Sequence, residues 1–276
     1  MEIKYEQLQG AGAGDVRSAI RSGGYSGHTA GLGAGCLQAN VVMMPEAHAL
    51  DFMRYCQRNP KPCPLTGVSD TGNPMMHSLG RDIDIRTDVP AYNIYRDGTL
   101  AGSADNILDL WRDDMVAVAL GCSFTFEHAV QRAGVPLWHI RHNTTVPMFR
   151  SNIETVPAGR FSGKMVVSMR AIPAARVDDV AAISRRYPLA HGGPVHIGDP
   201  EQIGIADIAR PDWGDPAPVG QGEVPMFWAC GVTPQVAVEQ AGLPLCITHK
   251  PGHMLITDVP EDAEVPVITP QVSSGA

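Results

Sequence analysis

The sequence lacks several features that would assign a protein to a class at once. Aromatic residues make up 6% and charged residues 18% of the 276 residues. No apolar run approaches the ~18 residues that a membrane helix needs, no segment is strongly basic, and the first residues contain no apolar core of a signal peptide. With a net charge of −8, these absences argue against nucleic acid or a membrane as a partner, and they predict a cytoplasmic protein.

Paired cysteine spacings are also missing. The six cysteines show no metal-binding pattern and nothing that predicts an oxidising compartment, so we expect reduced thiols. Glycines 31, 33 and 35 precede an apolar, strand-like segment instead of following one, which argues against a dinucleotide site. We therefore expect neither a metal nor an organic cofactor.

What the sequence has instead is arginine, which accounts for 17 of its 21 basic residues. The planar guanidinium group binds carboxylates through two parallel hydrogen bonds. Arg150 and Arg160 stand among turn residues, where a side chain can reach a cleft. We expect Arg150, Asn152 and Arg160 to bind a small-molecule carboxylate substrate, although each arginine is equally compatible with a surface position.

The chain also contains an internal repeat. Residues 119–137 read A-L-G-C-S-F-T-F-E-H-A-V-Q-R-A-G-V-P-L, and residues 228–245 read W-A-C-G-V-T-P-Q-V-A-V-E-Q-A-G-L-P-L. Aligning Cys122 with Cys230, an offset of 108 residues, gives eight identities in sixteen positions without a gap. Each copy predicts a strand, a turn that carries the cysteine, a helix, an Ala-Gly stop and a second strand.

This repeat predicts an α/β fold with duplicated β-turn-α-β units near residues 115–140 and 224–248. A strand, a proline-initiated helix and a second strand in residues 141–215 indicate a smaller α+β domain inserted into a main domain formed by 1–140 and 216–276. In open α/β sheets, ligands bind beyond the carboxyl ends of the strands, where both cysteines are expected to lie.

The cysteine turns are candidate binding elements, because helix N-termini bind carboxylates and lower the pKa of a thiol. Ser123, Thr125 and Thr233 add hydroxyl groups at the same positions. We expect Cys122 and Cys230 to face one cleft and to belong to the catalytic group. Small buried side chains that pack at the ends of strands are the competing interpretation.

Two further segments are rich in histidine: H-G-G-P-V-H-I-G-D at residues 191–199 and T-H-K-P-G-H-M at residues 248–254. The Pro-Gly between His249 and His253 is incompatible with the helical spacing of zinc motifs. We expect His191, His196 and His253 to move protons as general acid and base, and His249 to help bind the substrate.

Several motifs together resemble the D-glutamate cyclase family, whose bacterial members carry hydro-lyase names. They include V-P-M-F-R-S-N-I, P-A-G-R-F-S-G-K-M-V-V-S-M-R, H-G-G-P-V-H-I-G-D-P, F-W-A-C-G-V-T-P-Q and T-H-K-P-G-H-M-L-I-T-D, and the resemblance extends from about Val16 to Asp258. It implies an α/β domain with a smaller α+β domain, and the cyclisation of D-glutamate to 5-oxo-D-proline with loss of water. It assigns no catalytic residues.

Three functions are compatible with these observations. The first is a cofactor-independent carbon–oxygen lyase that acts on a small amino acid or dicarboxylate, with D-glutamate as the expected substrate. The second is a two-cysteine racemase or epimerase of acidic amino acids, because such enzymes also place one cysteine in each half. The third is a carboxylate-binding protein without turnover. A homo-oligomer is compatible with all three.

Overall fold

The structure is a computed structural model that describes residues 2–263. Within this range, the α-helices are α1 (Tyr5–Leu8), α2 (Ala13–Arg21), α3 (Glu46–Arg58), α4 (Phe124–Arg132), α5 (Trp138–Arg141), α6 (Val177–Arg185) and α7 (Thr233–Ala241). The strands are β1 (Cys36–Pro45), β2 (Leu65–Val68), β3 (Tyr92–Arg96), β4 (Thr99–Ala104), β5 (Met115–Gly121), β6 (Met148–Glu154), β7 (Lys164–Pro173), β8 (His196–Ile197), β9 (Glu223–Ala229), β10 (Cys246–His249) and β11 (Leu255–Pro260). None of these helices is long and apolar enough to cross a membrane.

The strands form two sheets. The first has the order β2-β5-β1-β10-β3-β4, with β11 also paired to β1, and the second has the order β6-β7-β9-β8. The predicted α/β class is confirmed. However, the strand pairs between these elements are antiparallel. Ligand binding beyond the carboxyl ends of strands is a rule for parallel sheets. It therefore does not explain where the cysteines lie.

The sheets do not divide at residue 215, where the sequence placed a domain boundary. Strands β6, β7 and β8 come from residues 141–215, but β9 lies beyond that boundary and pairs with β7 along its whole length. The second sheet therefore includes the first strand of the second repeat unit. The physical reason is non-local pairing, which local composition does not reveal. Residues 264–276 of the predicted main domain lie outside the described range.

The two sheets contain strand pairs with the same register. Ala39 faces Gly121 and Pro45 faces Met115 in the β1–β5 pair, while Val167 faces Ala229 and Pro173 faces Glu223 in the β7–β9 pair. The offsets are 128 residues from β1 to β7 and 108 residues from β5 to β9. The copies diverge after their helices, because α5 follows the first and β10 follows the second. We retain the duplication as an inference from sequence and register.

The helices that follow the paired strands are exchanged between the sheets. Helix α4 follows β5 of the first sheet, but its Phe126 packs with Val180 of α6 and Trp228 of β9. Helix α7 follows β9 of the second sheet, but its Val238 packs with Phe52 of α3 and the core of the first sheet. The chain therefore passes from one sheet to the other at each cysteine.

We expect Gly121→Ala to destabilise the fold, because a Cβ at Gly121 would overlap the carbonyl oxygen of Leu189. Backbone cannot move aside cheaply in a packed core, so the predicted loss is ~2–4 kcal/mol in the free energy of unfolding measured in urea. Gly102→Ala on β4 is the matched control, since no atom lies within 4 Å of its Cβ position. Equal stability of the two variants would contradict the packing of the 188–190 segment against Gly121.

Candidate active site at the crossing of two cysteine turns

Two cysteine turns, residues 122–123 and 230–232, connect the paired strands to α4 and α7. The Cys122 N–H donates to the carbonyl of Gln38 at 2.9 Å, and the Cys230 N–H donates to the carbonyl of Val166 at 3.0 Å. Both cysteines belong to one apolar cluster, together with Val232. Each keeps 7% of its surface exposed, whereas the other buried cysteines keep 1% or less. The two turns are therefore neighbours, and both cysteines are buried.

Asn40 of β1 lies between the two turns. Its Nδ2 donates to the carbonyl of Gly121 at 2.8 Å. A Cβ at Gly231 would overlap the Asn40 amide, so glycine is required where the second turn passes this side chain. The predicted shared location of Cys122 and Cys230 thus has a direct structural basis in one buried amide.

The threonines of the turns stabilise the strands. Thr125 Oγ1 accepts the N–H of Gln38 at 3.0 Å, and Thr233 Oγ1 accepts the N–H of Val166 at 3.0 Å. Both residues are buried. Their hydroxyl groups accept backbone N–H groups of the strands that would otherwise lack a partner. Both threonines therefore stabilise the fold, at equivalent positions. These bonds do not favour the predicted role of Thr125 and Thr233 in binding a substrate.

The thiols are held in the protonated form. Burial raises the pKa of Cys230 to about 11, although the Val232 N–H and the charge of Arg170 lower it. Burial likewise raises the pKa of Cys122, against the effect of the Phe124 N–H, and the nearby Cys230 raises it further. The N–H groups of both helix N-termini therefore point at the sulfur atoms, but desolvation outweighs their effect.

A buried ion cluster stands beside the first turn. Arg170 Nε donates to Glu127 Oε1 at 2.9 Å, its Nη1 donates to Ser168 at 2.9 Å, and its Nη2 donates to Ser123 Oγ at 3.0 Å. His139 Nε2 lies 3.0 Å from the same Glu127 oxygen. Burial raises the pKa of Glu127, but the neighbouring His139 and Arg170 outweigh burial and lower it to about 2. Glu127 is thus a carboxylate at neutral pH.

Sequence patterns do not single out Glu127, His139, Asn40 or Arg170. Glu127 and Arg170 are 43 residues apart and meet because α4 packs on the second sheet. One local signal was present: Asn40 and Gln38 are polar at a spacing of two within an apolar strand. A buried amide at such a position needs partners, which would have indicated a special site.

His191 is the predicted histidine that the structure places beside the first turn. It follows the 188–190 segment that packs on Gly121, and it adopts a left-handed conformation with φ 73°. Its Nδ1–H donates to the Lys61 carbonyl at 2.8 Å, so its buried Nε2 is an acceptor without a protein partner. Burial lowers the pKa of His191 to about 4, and the charge of Arg170 contributes.

His249 and His253 lie on the side of the second turn. Nδ1 of His249 lies 3.2 Å from the Val41 nitrogen and 3.4 Å from the Val41 carbonyl oxygen, and its buried Nε2 has no partner among the described residues. Burial lowers the pKa of His249 to about 3. His253 is half-buried, and its Nδ1–H donates to the Pro251 carbonyl at 2.9 Å. Burial lowers the pKa of His253 as well.

The structure places His196, the third histidine expected to move protons, apart from the buried cluster. His196 pairs with Phe227 of β9, which pairs with Met169 of β7. Paired residues share a face of a sheet and neighbours alternate, so His196 lies on the face opposite to Arg170. Its Nε2–H donates to the Asp199 carbonyl at 2.7 Å, which is a local turn contact.

The predicted carboxylate-binding residues of β6 and the following turn also lie apart from the cysteine turns. Arg150 contacts Glu239 on α7 at 3.3 Å and stacks on Trp213, with about half of its side chain exposed. Asn152 and Arg160 are exposed. These side chains do not converge with the buried cluster. Within residues 2–263, no group of three or more His, Cys, Asp or Glu side chains is arranged to hold a metal ion.

The comparisons with known proteins agree with one another. The model of the D-glutamate cyclase family matches residues 116–258. A protein of Dinoroseobacter shibae, named "Putative hydro-lyase", is 71% identical over 267 residues, which are 97% of this chain and 89% of that protein. A protein of Ruegeria pomeroyi, also named as a putative hydro-lyase, is 74% identical over 268 residues, which are 97% of this chain and 98% of that protein. The solved structure of a nitrogen repressor-like protein from Methanococcus jannaschii matches 85% of this chain and 90% of its own. With 10% identity and a TM-score of 0.38, this similarity is too low to support an inference.

The raised thiol pKa values predict slow alkylation at neutral pH. Iodoacetamide reacts with the thiolate, so modification of Cys230 should rise about tenfold per pH unit from pH 7 towards its pKa of about 11. Peptide mass spectrometry gives the rate at each cysteine, and the unfolded protein serves as the control. If the rate at Cys122 or Cys230 levels off below pH 9, the thiols ionise near neutrality and the pKa argument fails.

Proposed function

The chain belongs to the D-glutamate cyclase family of lyases, and we propose that it closes D-glutamate to 5-oxo-D-proline with loss of water. The observation that carries this proposal is the meeting of two helix N-termini, those of α4 and α7, at the neighbouring cysteine turns. D-glutamate has two carboxylates separated by a short chain. Two adjacent sets of helix N-terminal N–H groups match such a molecule.

The reaction forms a bond between the α-nitrogen and the γ-carboxyl carbon, breaks one C–O bond of that carboxyl and releases water. It therefore needs a base for the α-ammonium, donors for the oxyanion and a proton for the leaving oxygen. Neutral His191 has a free Nε2 lone pair and suits the base. Neutral His249, in the tautomer that carries the proton on its unpartnered buried Nε2, suits the donor. The N–H groups of Phe124 and Val232 suit the oxyanion.

A second candidate is a racemase of acidic amino acids that uses the two thiols. The placement of Cys122 and Cys230 at equivalent points of the two strand pairs favours it. A two-thiol mechanism needs one thiolate and one thiol at neutral pH. Burial raises the pKa of both groups, and this observation supports the lyase over the racemase.

The proposal is tested by proton NMR of D-glutamate, L-glutamate and small hydroxy acids incubated with the purified protein. We expect 5-oxo-D-proline from D-glutamate. His191→Ala should reduce turnover by ~10²–10⁴, as removal of a general base does. Cys122→Ser and Cys230→Ser should stay within about tenfold of the wild type, because protonated thiols contribute little chemistry. His77→Ala, at an exposed histidine, is the control.

The same samples in deuterated water separate the two candidates. Cyclisation forms no bond at Cα, so the product should retain its Cα proton. Deuterium at Cα together with inactive cysteine variants and an active His191 variant would replace the lyase assignment with two-thiol racemisation. Absence of any product from all substrates would sink both candidates.

A further inference from the structure

Glu127 and Arg170 each keep one hydrogen-bonding position that the protein does not fill. Four bonds of the Arg170 guanidinium go to Ser123, Ser168 and twice to Glu127 Oε1, which leaves one of its five N–H groups, on Nη1. Glu127 Oε2 has no partner at all. The two residues are only 1% and 3% exposed. A buried carboxylate oxygen and a buried guanidinium N–H are therefore both available beside the first cysteine turn.

The other half of the molecule shows that packing does not require these charges. At the equivalent position of α7 stands Gln235, where α4 has Glu127. Arg170 of β7 corresponds to Val42 of β1. The strand registers agree with this, because Val42 faces Val118, Arg170 faces Met226, and these two partners are also equivalent. The same strand pair and helix thus form around a glutamine and a valine. The ion pair belongs to one half alone.

Burying a carboxylate and a guanidinium costs free energy that an apolar pair of similar volume avoids. The guanidinium lies within 5.2 Å of the Phe126 ring and 5.3 Å of the Trp228 ring, so apolar walls surround it. The equivalent half folds without the pair, so packing does not explain why the pair is present. Binding of a ligand does. The ligand must supply a donor to Glu127 Oε2 and an acceptor to Arg170 Nη1. An α-amino acid head group has both, one atom apart.

We propose that Glu127 and Arg170 form the subsite for the zwitterionic head group of an α-amino acid substrate. The ammonium group donates to Glu127 Oε2, and the α-carboxylate, at the N-terminus of α4, also accepts from Arg170 Nη1. The side-chain carboxylate then lies towards the second half, which offers the α7 N-terminus and no buried carboxylate at the Gln235 position. This inference rests on the proposed function and narrows its substrate class to amino acids, excluding diacids and hydroxy acids that lack an ammonium group.

The test compares the dissociation constants of D-glutamate and glutarate, which differ by the ammonium group, using calorimetry. The wild type should bind D-glutamate about 10- to 100-fold more tightly than glutarate, the effect of a charge-assisted bond to a buried carboxylate. In Glu127→Gln, and in the double variant Glu127→Gln, Arg170→Val, this ratio should fall to about one. The double variant copies the residues of the second half, so we expect it to fold.

The double variant Asp114→Asn, Arg112→Val is the matched control, because it removes a two-bond Arg–Asp pair that is about half exposed. It should keep the wild-type ratio. Glu127→Asp retains a carboxylate and should keep a preference for D-glutamate, which separates a recognition role from a packing role. Three results would overturn the subsite. The first is a wild-type ratio near one, and the second is an unchanged ratio in both Glu127→Gln variants. The third is failure of both variants to fold while Glu127→Asp shows no preference for D-glutamate. Selective binding without turnover would instead contradict the cyclisation and leave the subsite standing.

Discussion

The architecture depends on one packing constraint: each helix that leaves a cysteine turn packs on the sheet that it did not come from. Phe126 of α4 lies against Trp228 of the second sheet at a ring distance of 5.5 Å, while α7 completes the core of the first sheet. Because both crossings occur in one place, the two turns become neighbours. The buried helix N-termini, the Asn40 bridge and the ion cluster all follow from this exchange.

The exchange also explains why the two halves can differ in chemistry while they agree in geometry. The strand registers and the threonine bonds at Thr125 and Thr233 are equivalent, because they maintain the fold. The residues that face the partner helix are free to diverge once the backbone is fixed. Glu127 and Gln235 occupy equivalent positions with different charge, as the proposed amino-acid subsite requires.

Local patterns predicted the elements well. The apolar run at residues 37–44 predicts a strand, which is β1 (Cys36–Pro45), and the helical spacing at residues 46–57 predicts a helix, which is α3 (Glu46–Arg58). These elements have strong hydrophobic periodicity and proline boundaries, which act within a few residues. The repeat alignment places Glu127 opposite Gln235, and the difference in charge between the two is visible in the sequence, but its significance depends on the contact with Arg170.

The site could be predicted only in part, because its members come together through tertiary packing. Cys122 and Cys230 were found through the repeat. Arg170 and Glu127 meet only when α4 crosses to the second sheet, and no local spacing encodes that contact. A strand at His196 can be predicted from the sequence, but the sheet face on which its side chain lies cannot, because side chains change face with each residue.

The most direct test of the account is where a ligand binds. We expect amide resonances of Phe124 and Val232, the N-terminal N–H groups beside the two thiols, to shift together when 5-oxo-D-proline or D-glutamate is added to ¹⁵N-labelled protein. Both should saturate with the same dissociation constant, since one molecule contacts both turns. Shifts confined to the surroundings of Arg150 and Arg160, with Phe124 and Val232 unmoved, would contradict a substrate site at the crossing.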